Sequence, residues 1–140
     1  MILLIRHTWA GHREEWDGDD DHLRPLDERG RRQAEELVDL LAPHEIDSIL
    51  SSPYVRCVQS VEPLAQARGL SIEEREELTE ELQATAGVRL VLSLESNAAV
   101  CCHGGLSEAL CGRPQEKGEV FLLEVEDGEV RLVGRLGPPS

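Results

Sequence analysis

Short apolar runs recur along the chain and have the length of β-strands buried in a sheet. Three of these runs end at polar or turn-forming side chains. They occupy residues 2–5, 46–50 and 98–102. A short strand is also expected over residues 70–72. Residues 120–125 and 130–133 flank the sequence Glu126-Asp127-Gly128-Glu129, whose Asp-Gly pair predicts a hairpin.

Segments with apolar residues at helical spacing separate the strands. Asp27 is the expected N-cap of a helix that continues until Pro43. A second helix is expected over residues 53–68, with Gly69 as its C-cap, and Pro63 should kink or shorten it. Shorter helices are expected ahead of Leu94 and over residues 106–111.

This alternation of strands and helices predicts the fold class. We expect an α/β protein, a three-layer α/β/α sandwich with a mostly parallel central sheet and a C-terminal hairpin. The length of 140 residues fits a single domain spanning residues 1–140.

Composition and charge exclude several classes of protein. The net charge of −14, from 28 acidic and 14 basic residues, disfavours binding to nucleic acid or to anionic membranes. The four cysteines form no C-x-x-C pair, which is typical of buried thiols in a reducing compartment. The first apolar run is too short for a signal peptide or a membrane span, so we expect a cytoplasmic protein.

Cationic side chains follow the three strands at corresponding places. Arg6-His7 follows the first strand, Arg56 follows the second in Ser51-Ser52-Pro53-Tyr54-Val55-Arg56, and His103 follows the third. If these strands are parallel neighbours, the four side chains converge at one end of the sheet, where open α/β sheets place their ligands. Arginine is the preferred partner of phosphate oxygens, and a histidine held beside them can attack phosphorus. The pattern therefore predicts a phosphoryl site and a phosphohistidine intermediate.

Four segments in this order resemble the histidine phosphatase superfamily, which has the phosphoglycerate-mutase-like fold. They are Leu4-Ile5-Arg6-His7-Thr8-Trp9-Ala10-Gly11, Arg24-Pro25-Leu26-Asp27-Glu28-Arg29-Gly30, Ser51-Ser52-Pro53-Tyr54-Val55-Arg56-Cys57-Val58-Gln59-Ser60 and Cys102-His103-Gly104-Gly105. The similarity is to the short branch that contains SixA-type phosphohistidine phosphatases and the phosphatase-like domains fused to Nudix hydrolases. The resemblance covers most of the chain.

The resemblance implies a role for each matching position. His7 would be the nucleophile, Arg6 and Arg56 would hold the phosphate, and His103 would stabilise the transition state, a task that tolerates a cationic ring. Leu78-Thr79-Glu80 fits the family's proton donor, with Glu80 as the first choice and Glu81 as the alternative. Thr8 and Gly104 complete the expected substrate contacts, Thr8 through its hydroxyl or by narrowing the pocket. No metal and no cofactor are expected, and the pocket should be shallow and open.

Other polar residues near these motifs have two interpretations each. Arg24 lines the pocket mouth or pairs with the acidic cluster over residues 19–21 at the surface. Trp9 and Trp16 flank the entrance segment, and one of them stacks on a substrate ring or both pack over the loop. Lys117 contacts an anionic substrate or is an ordinary surface lysine.

The predicted function is a metal-independent phosphatase that acts on a small phosphomonoester or on protein phosphohistidine. A mutase reaction fits less well, because the chain lacks the insertions that shape the substrate pockets of larger members. The alternative is a phosphate-binding regulatory module of the same fold with little or no turnover. A Nudix hydrolase is excluded, since the chain has no Gly-x5-Glu-x7-Arg-Glu helix.

Overall fold

Six strands and four α-helices are formed by residues 1–18 and 20–140, which are the residues described in this computed structural model. The strands are β1 (Ile2–Arg6), β2 (Ser48–Ser51), β3 (Ile72–Glu74), β4 (Ala98–Cys102), β5 (Val120–Glu126) and β6 (Glu129–Leu136). The helices are α1 (Glu28–Leu40), α2 (Val55–Arg68), α3 (Val88–Ser93) and α4 (Gly104–Cys111).

The strands form one sheet in the order β3-β2-β4-β1-β5-β6. The β3-β2, β2-β4 and β4-β1 pairs are parallel, whereas β5 pairs antiparallel with both β1 and β6. Strand β4 therefore lies between β1 and β2, and the three carboxyl ends meet at one edge, as predicted. The sheet is mostly parallel and closes with the C-terminal hairpin.

Helices cover both faces of the sheet, which gives the predicted three layers. On one face Leu3 and Ile5 of β1 pack with the apolar stripes of α1 and α2. On the other face Ile2 and Leu4 pack with buried residues of α3 and α4. This alternation explains why β1 reads as a continuous apolar run: both of its faces are buried.

The ends of α1 and α2 follow from local chemistry. The Asp27 carboxylate accepts a hydrogen bond of 2.8 Å from the amide of Gly30, so Asp27 caps α1 as predicted. Gly69 ends α2 in the left-handed region at φ 65°. The expectation that Pro63 shortens α2 is wrong, because the helix continues through Pro63 to Arg68. The amide of Leu70 donates to the carbonyl of Ala65, which holds Leu70 in the helix cap, so β3 starts two residues later than expected.

The hairpin turn and the approach to α3 complete the architecture. Asp127 (φ 53°) and Gly128 (φ 76°) adopt the two left-handed conformations that a tight two-residue hairpin turn requires. The segment before α3 contains a 3₁₀ turn over Glu76–Leu78 and a π-helical turn over Gln83–Gly87. None of the helices in the described part of the chain has both the length and the apolar character needed to cross a membrane.

Candidate active site

The predicted cationic side chains meet at the carboxyl ends of β1, β2 and β4. Arg6 is the last residue of β1, Arg56 is in the first turn of α2 after β2, and His103 directly follows β4. The His7 and His103 rings lie edge to face with centroids 5.6 Å apart. The topology thus brings together the four residues that the strand ends predicted.

His7 is held as a neutral ring in one tautomer. Its Nδ1 lies 2.8 Å from the carbonyl oxygen of Thr8, which can only accept, so Nδ1 carries the proton. Burial and the nearby guanidinium groups of Arg56 and Arg6 lower the pKa of His7 to about 3. At neutral pH Nε2 therefore has a free lone pair, as a nucleophile requires.

His103 is also buried and neutral, although the role expected of it would tolerate a cationic ring. Desolvation, with His7 and Arg56 nearby, lowers its pKa to about 2. Its Nε2 lies 3.0 Å from the Ser52 hydroxyl oxygen, which accepts a bond from the amide of Tyr54. The hydroxyl proton of Ser52 is thus available to Nε2, and this leaves the ring proton on Nδ1.

Arg56 is fully buried and is fixed by acidic and carbonyl groups. Its Nη1 donates to the backbone carbonyl of Asp21 at 2.9 Å. Its Nη2 donates to Glu80 Oε1 at 2.9 Å and lies 3.2 Å from Asp21 Oδ2. The Tyr54 ring packs against the guanidinium group, with Cζ 4.8 Å from its centroid. These contacts use both terminal nitrogens, and they leave Nε without a hydrogen-bond partner among the described residues.

Arg6 is fixed by a neutral group and by the start of α4. Its Nη1 donates to the backbone carbonyl of Gln115 at 2.5 Å. Gly104 is the first residue of α4, and a Cβ at this position would lie 3.1 Å from Arg6 Cζ. Gly104 therefore admits the guanidinium group beside the helix terminus, where first-turn amides lack helical partners.

Three buried nitrogens in this cluster have no hydrogen-bond partner among the described residues. They are Arg6 Nε, Arg56 Nε and His103 Nδ1. Buried polar groups in folded proteins are nearly always paired, so three unpaired donors on residues that follow neighbouring strand ends require a separate explanation. Their chemistry matches a tetrahedral oxyanion, whose oxygens accept several charged hydrogen bonds.

Glu80 lies inside this cluster and Glu81 lies outside it. Glu80 Oε1 is 3.5 Å from His103 Nδ1, and its carboxylate also binds Arg56 and Arg13. Glu81 instead accepts the hydroxyl proton of Tyr54. The geometry thus favours Glu80, the first choice from the sequence, as the carboxyl group that faces a bound oxyanion.

Thr8 adjoins His7, but its hydroxyl is not available to a ligand. The side chain is fully buried, and Oγ1 donates to the carbonyl of Gly30 at 2.8 Å. The amide of Thr8 donates to Ser60 Oγ at 2.9 Å. The hydroxyl thus joins the segment after β1 to α1, which favours the alternative that Thr8 narrows the pocket; a substrate contact of Thr8 stays a prediction.

Arg24 and the acidic loop lie beside the site. Arg24 Nε donates to Asp21 Oδ1 at 2.9 Å, and Nη1 donates to the carbonyl of Ala10 at 2.5 Å. The predicted ion pair exists, but Arg24 is buried rather than at the surface. Asp19, which belongs to the predicted acidic cluster, lies outside the described residues.

Sequence reasoning missed several residues that fix the site. Ser52 supports His103, Asp21 and the Gln115 carbonyl orient the arginines, and Gln83 Oε1 accepts the amide proton of His103 at 3.2 Å. Ser52 stands in the quoted strand-end motif and could have been found there. Gln115 and Gln83 lie in segments with no motif.

A surface depression adjoins the cluster at Glu80. It has a volume of about 340 Å³ and is lined by Arg13, Asp20, Asp21, His22, Tyr54, Glu80 and Glu81. In the described part of the chain, no three His, Cys, Asp or Glu side chains are grouped so that they could hold a metal ion.

The chain belongs to the histidine phosphatase superfamily, the class that this fold and this cluster of two histidines and two arginines define. The sequence profile described as "Histidine phosphatase superfamily (branch 1)" matches residues 2–88. That range includes His7, Arg56 and Glu80, and it ends before His103.

Individual relatives carry phosphatase names. The chain is 36% identical over 157 aligned residues to an 8-oxo-(d)GTP phosphatase of Mycolicibacterium smegmatis, covering 99% of this chain and 48% of that protein. It thus spans about half the length of this curated relative.

Solved structures of the same fold include two phosphatases. The protein histidine phosphatase SixA, in complex with tungstate, superposes with a TM-score of 0.82 at 23% identity, over 98% of this chain and 96% of SixA. A mycobacterial glucosyl-3-phosphoglycerate phosphatase superposes with a TM-score of 0.76 at 16% identity, over 94% of this chain and 96% of that chain. At these identities the likeness demonstrates the shared fold.

Proposed function

We propose that this chain is a phosphatase that hydrolyses a phosphomonoester or a protein phosphohistidine by two-step transfer through phosphorylated His7, without a metal ion. The observation that carries this proposal is the set of three unpaired buried donors, Arg6 Nε, Arg56 Nε and His103 Nδ1, beside a neutral His7. A phosphoryl group in their midst would accept all three donors and present its phosphorus to His7 Nε2.

In the first step, His7 Nε2 forms a bond to phosphorus while the bond from phosphorus to the leaving atom breaks. The leaving atom is the ester oxygen of a phosphomonoester or the ring nitrogen of a phosphohistidine. Glu80 in its protonated form gives its proton to that atom, and the substrate alcohol or imidazole departs. The arginines and His103 offset the charge on the three equatorial oxygens. Glu80 suits this role because its carboxyl group reaches the cluster while a third of its side chain stays accessible to a leaving group.

In the second step, water attacks the phosphorus of phosphohistidine, and the Glu80 carboxylate accepts the proton that water releases. The phosphorus–Nε2 bond breaks, its electron pair returns to Nε2, and inorganic phosphate leaves. The Thr8 carbonyl holds Nδ1–H through both steps, so the ring presents the same tautomer each time.

The substrate class rests on the surface beside Glu80 and on the relatives. The depression of about 340 Å³ there offers room for a leaving group, whether of a small molecule or of a protein side chain. The names of the relatives suggest protein phosphohistidine, a sugar phosphate or a nucleotide as candidates. A panel of phosphopeptides, sugar phosphates and nucleotides would discriminate among them.

Hydrolysis of p-nitrophenyl phosphate tests the proposal. Wild-type protein should release p-nitrophenol, and His7→Asn should reduce the rate to background, since Asn keeps the bond to the Thr8 carbonyl but has no nucleophile. The exposed residue His12 supplies the matched control, and His12→Asn should retain the wild-type rate. Mass spectrometry of the rapidly quenched reaction should find phosphate on His7.

Equal background rates for wild type and His7→Asn would refute the proposed hydrolysis. If the wild-type protein then still bound phosphate, the chain would be the regulatory phosphate-binding module that was the alternative interpretation of the sequence.

A further inference from the structure

A tryptophan between two cations adjoins the phosphoryl site on the Arg6 side. Lys117 Nζ lies 4.0 Å from the Trp9 ring centroid, and Arg29 Cζ lies 4.5 Å from the same centroid. We call these three residues the cationic rim.

The cationic rim is tied directly to the residues of the phosphoryl site. Trp9 is two residues after His7 on the segment that leaves β1. Lys117 precedes Gly118, whose amide donates to the carbonyls of Arg6 and His7 at 3.0 and 3.2 Å. Arg29 belongs to the first turn of α1, next to Gly30, where a Cβ would lie 1.8 Å from the carbonyl oxygen of Trp9. These contacts fix the rim against the site through the backbone.

Among residues 1–18 and 20–140, no carboxylate makes an ion pair with Arg29 or Lys117 of the rim. Within the described part of the chain, seven of the fourteen basic side chains pair with a carboxylate, and Arg6, Arg29 and Lys117 are not among those seven. In a protein with twice as many acidic as basic residues, three neighbouring cations without such partners form an unusual local field.

The neighbouring positive charges change the pKa of Lys117. Burial and the guanidinium groups of Arg6 and Arg24 lower the pKa of its ammonium group below the usual range. A charge that is held partly buried, among other positive charges, is stabilised by an anion more than an isolated surface lysine would be.

The entrance is therefore polarised across the site. Asp21 and Glu80 lie on the Arg56 side, where they pair with Arg13 and Arg56. The Arg6 side carries the two cations of the rim, and the carboxylate of Asp27 is near enough to Lys117 to oppose the lowering of its pKa by burial and by Arg6. A substrate with a second negative group beside its reacting phosphate would place that group at the rim and away from Asp21 and Glu80.

We propose that Trp9, Arg29 and Lys117 form a second anion subsite, which binds the penultimate phosphate of a substrate that ends in a diphosphate while the phosphoryl site binds the terminal phosphate. This assignment rests on the proposed function and narrows its substrate class to phosphoanhydrides such as nucleoside diphosphates. His7 Nε2 bonds to the terminal phosphorus, the bond from that phosphorus to the bridging oxygen breaks, and the bridging oxygen leaves on the penultimate phosphate. This leaving group departs as a phosphate anion held at the rim, so for this substrate the first step needs no proton from Glu80. Water then releases inorganic phosphate from His7, as above.

Competitive inhibition of p-nitrophenyl phosphate hydrolysis by pyrophosphate and by inorganic phosphate tests the subsite. Wild-type protein should bind pyrophosphate at least tenfold more tightly than phosphate, because one or two further charged hydrogen bonds form. Lys117→Gln and Arg29→Gln should each weaken pyrophosphate relative to phosphate by about tenfold. Arg89→Gln, at an exposed arginine of α3 without an ion pair, is the control and should leave both inhibition constants unchanged.

The possible results distinguish a failure of the subsite proposal from a failure of the proposed phosphatase function. If wild-type protein hydrolyses p-nitrophenyl phosphate but neither rim variant changes the ratio of the two inhibition constants, the subsite is refuted and the phosphatase proposal stands. If wild-type protein shows no hydrolysis, calorimetric titration with phosphate and pyrophosphate replaces inhibition. Equal affinity for the two anions in that titration would likewise refute the subsite.

Discussion

The two buried neutral histidines should make the protein lose stability in mild acid, by an amount that follows from their pKa values. Both folded-state values, about 3 for His7 and about 2 for His103, lie below the unfolded value of 6.5. Below pH 6.5 the unfolded chain therefore binds more protons than the folded chain. The free energy of unfolding consequently falls as the pH decreases from 6.5 toward the folded-state values.

The loss of stability depends on how far the pH lies below 6.5, the pKa of histidine in the unfolded chain. At pH 5 each ring is charged in the unfolded chain and neutral in the folded protein, and each pH unit corresponds to about 1.4 kcal/mol per histidine. Each histidine should thus lower the free energy of unfolding by about 2 kcal/mol between pH 7.5 and 5, and the pair by about 4 kcal/mol. That is a large share of the total for a domain whose stability is typically 5 to about 15 kcal/mol.

Urea unfolding at pH 7.5 and at pH 5, in buffers without phosphate, measures this loss. The variants are His7→Asn, which keeps a donor to the Thr8 carbonyl, and His103→Gln, which keeps a partner for Ser52. Each should lose about 2 kcal/mol less than wild type over the same interval, and the double variant about 4 kcal/mol less. His12→Asn should lose as much as wild type, because the His12 side chain is exposed.

The comparison isolates the histidines, since the carboxylates that also titrate are the same in all variants. If wild type and the double variant lost equal stability between pH 7.5 and 5, the rings would not be held neutral by burial. The argument for a nucleophilic His7 would then lose its physical basis.

Three further substitutions test the arrangement of the site. Arg56→Lys should reduce kcat/KM for p-nitrophenyl phosphate by about 100-fold, because an ammonium group cannot donate to Asp21, Glu80 and phosphate at once as the planar guanidinium group does. A loss under fivefold in steady-state kinetics would contradict this. Ser52→Ala should reduce kcat by about tenfold with little change in KM, and Ser52→Thr should restore part of the rate. An unchanged kcat in Ser52→Ala would show that the hydrogen bond between Ser52 and His103 is dispensable. Gly30→Ala should lower the free energy of unfolding by about 3 kcal/mol in urea titrations, since the added Cβ would overlap the Trp9 carbonyl oxygen. A stability equal to wild type would mean that α1 can shift to make room for the methyl group.

The fold could be predicted because the chain encodes it in local patterns. Strand β1 reads as a continuous apolar run because it is buried on both faces, and Asp27 and Gly69 mark helix ends through their own backbone chemistry. The observed ends of strands and helices differ from the predicted ends where a backbone amide forms its hydrogen bond with a neighbouring element. Leu70 is an example, since its amide completes the cap of α2 instead of entering β3.

The positions of the site residues could be predicted for a related reason, but the orientation of their side chains could not. The residues that follow neighbouring parallel strands lie at the same edge of the sheet, so Arg6, Arg56 and His103 were expected close together once the strands were neighbours. The Thr8 hydroxyl turns toward α1, and the carbonyl that orients Arg6 comes from Gln115, 109 residues away. No local pattern encodes such contacts, because they depend on how loops close over the sheet.

The way in which the arginines are held explains how a site with neutral histidines can still stabilise an anion. Arg6 and Arg56 each donate one nitrogen to a backbone carbonyl, which orients the guanidinium group without cancelling its charge. Only Arg56 also contacts carboxylates, so the field is most positive beside Arg6. Burial, reinforced by this field, keeps His7 and His103 neutral. The positive charge that the proposed phosphate would meet therefore comes from the two arginines, and the free protein need not bury a third cation.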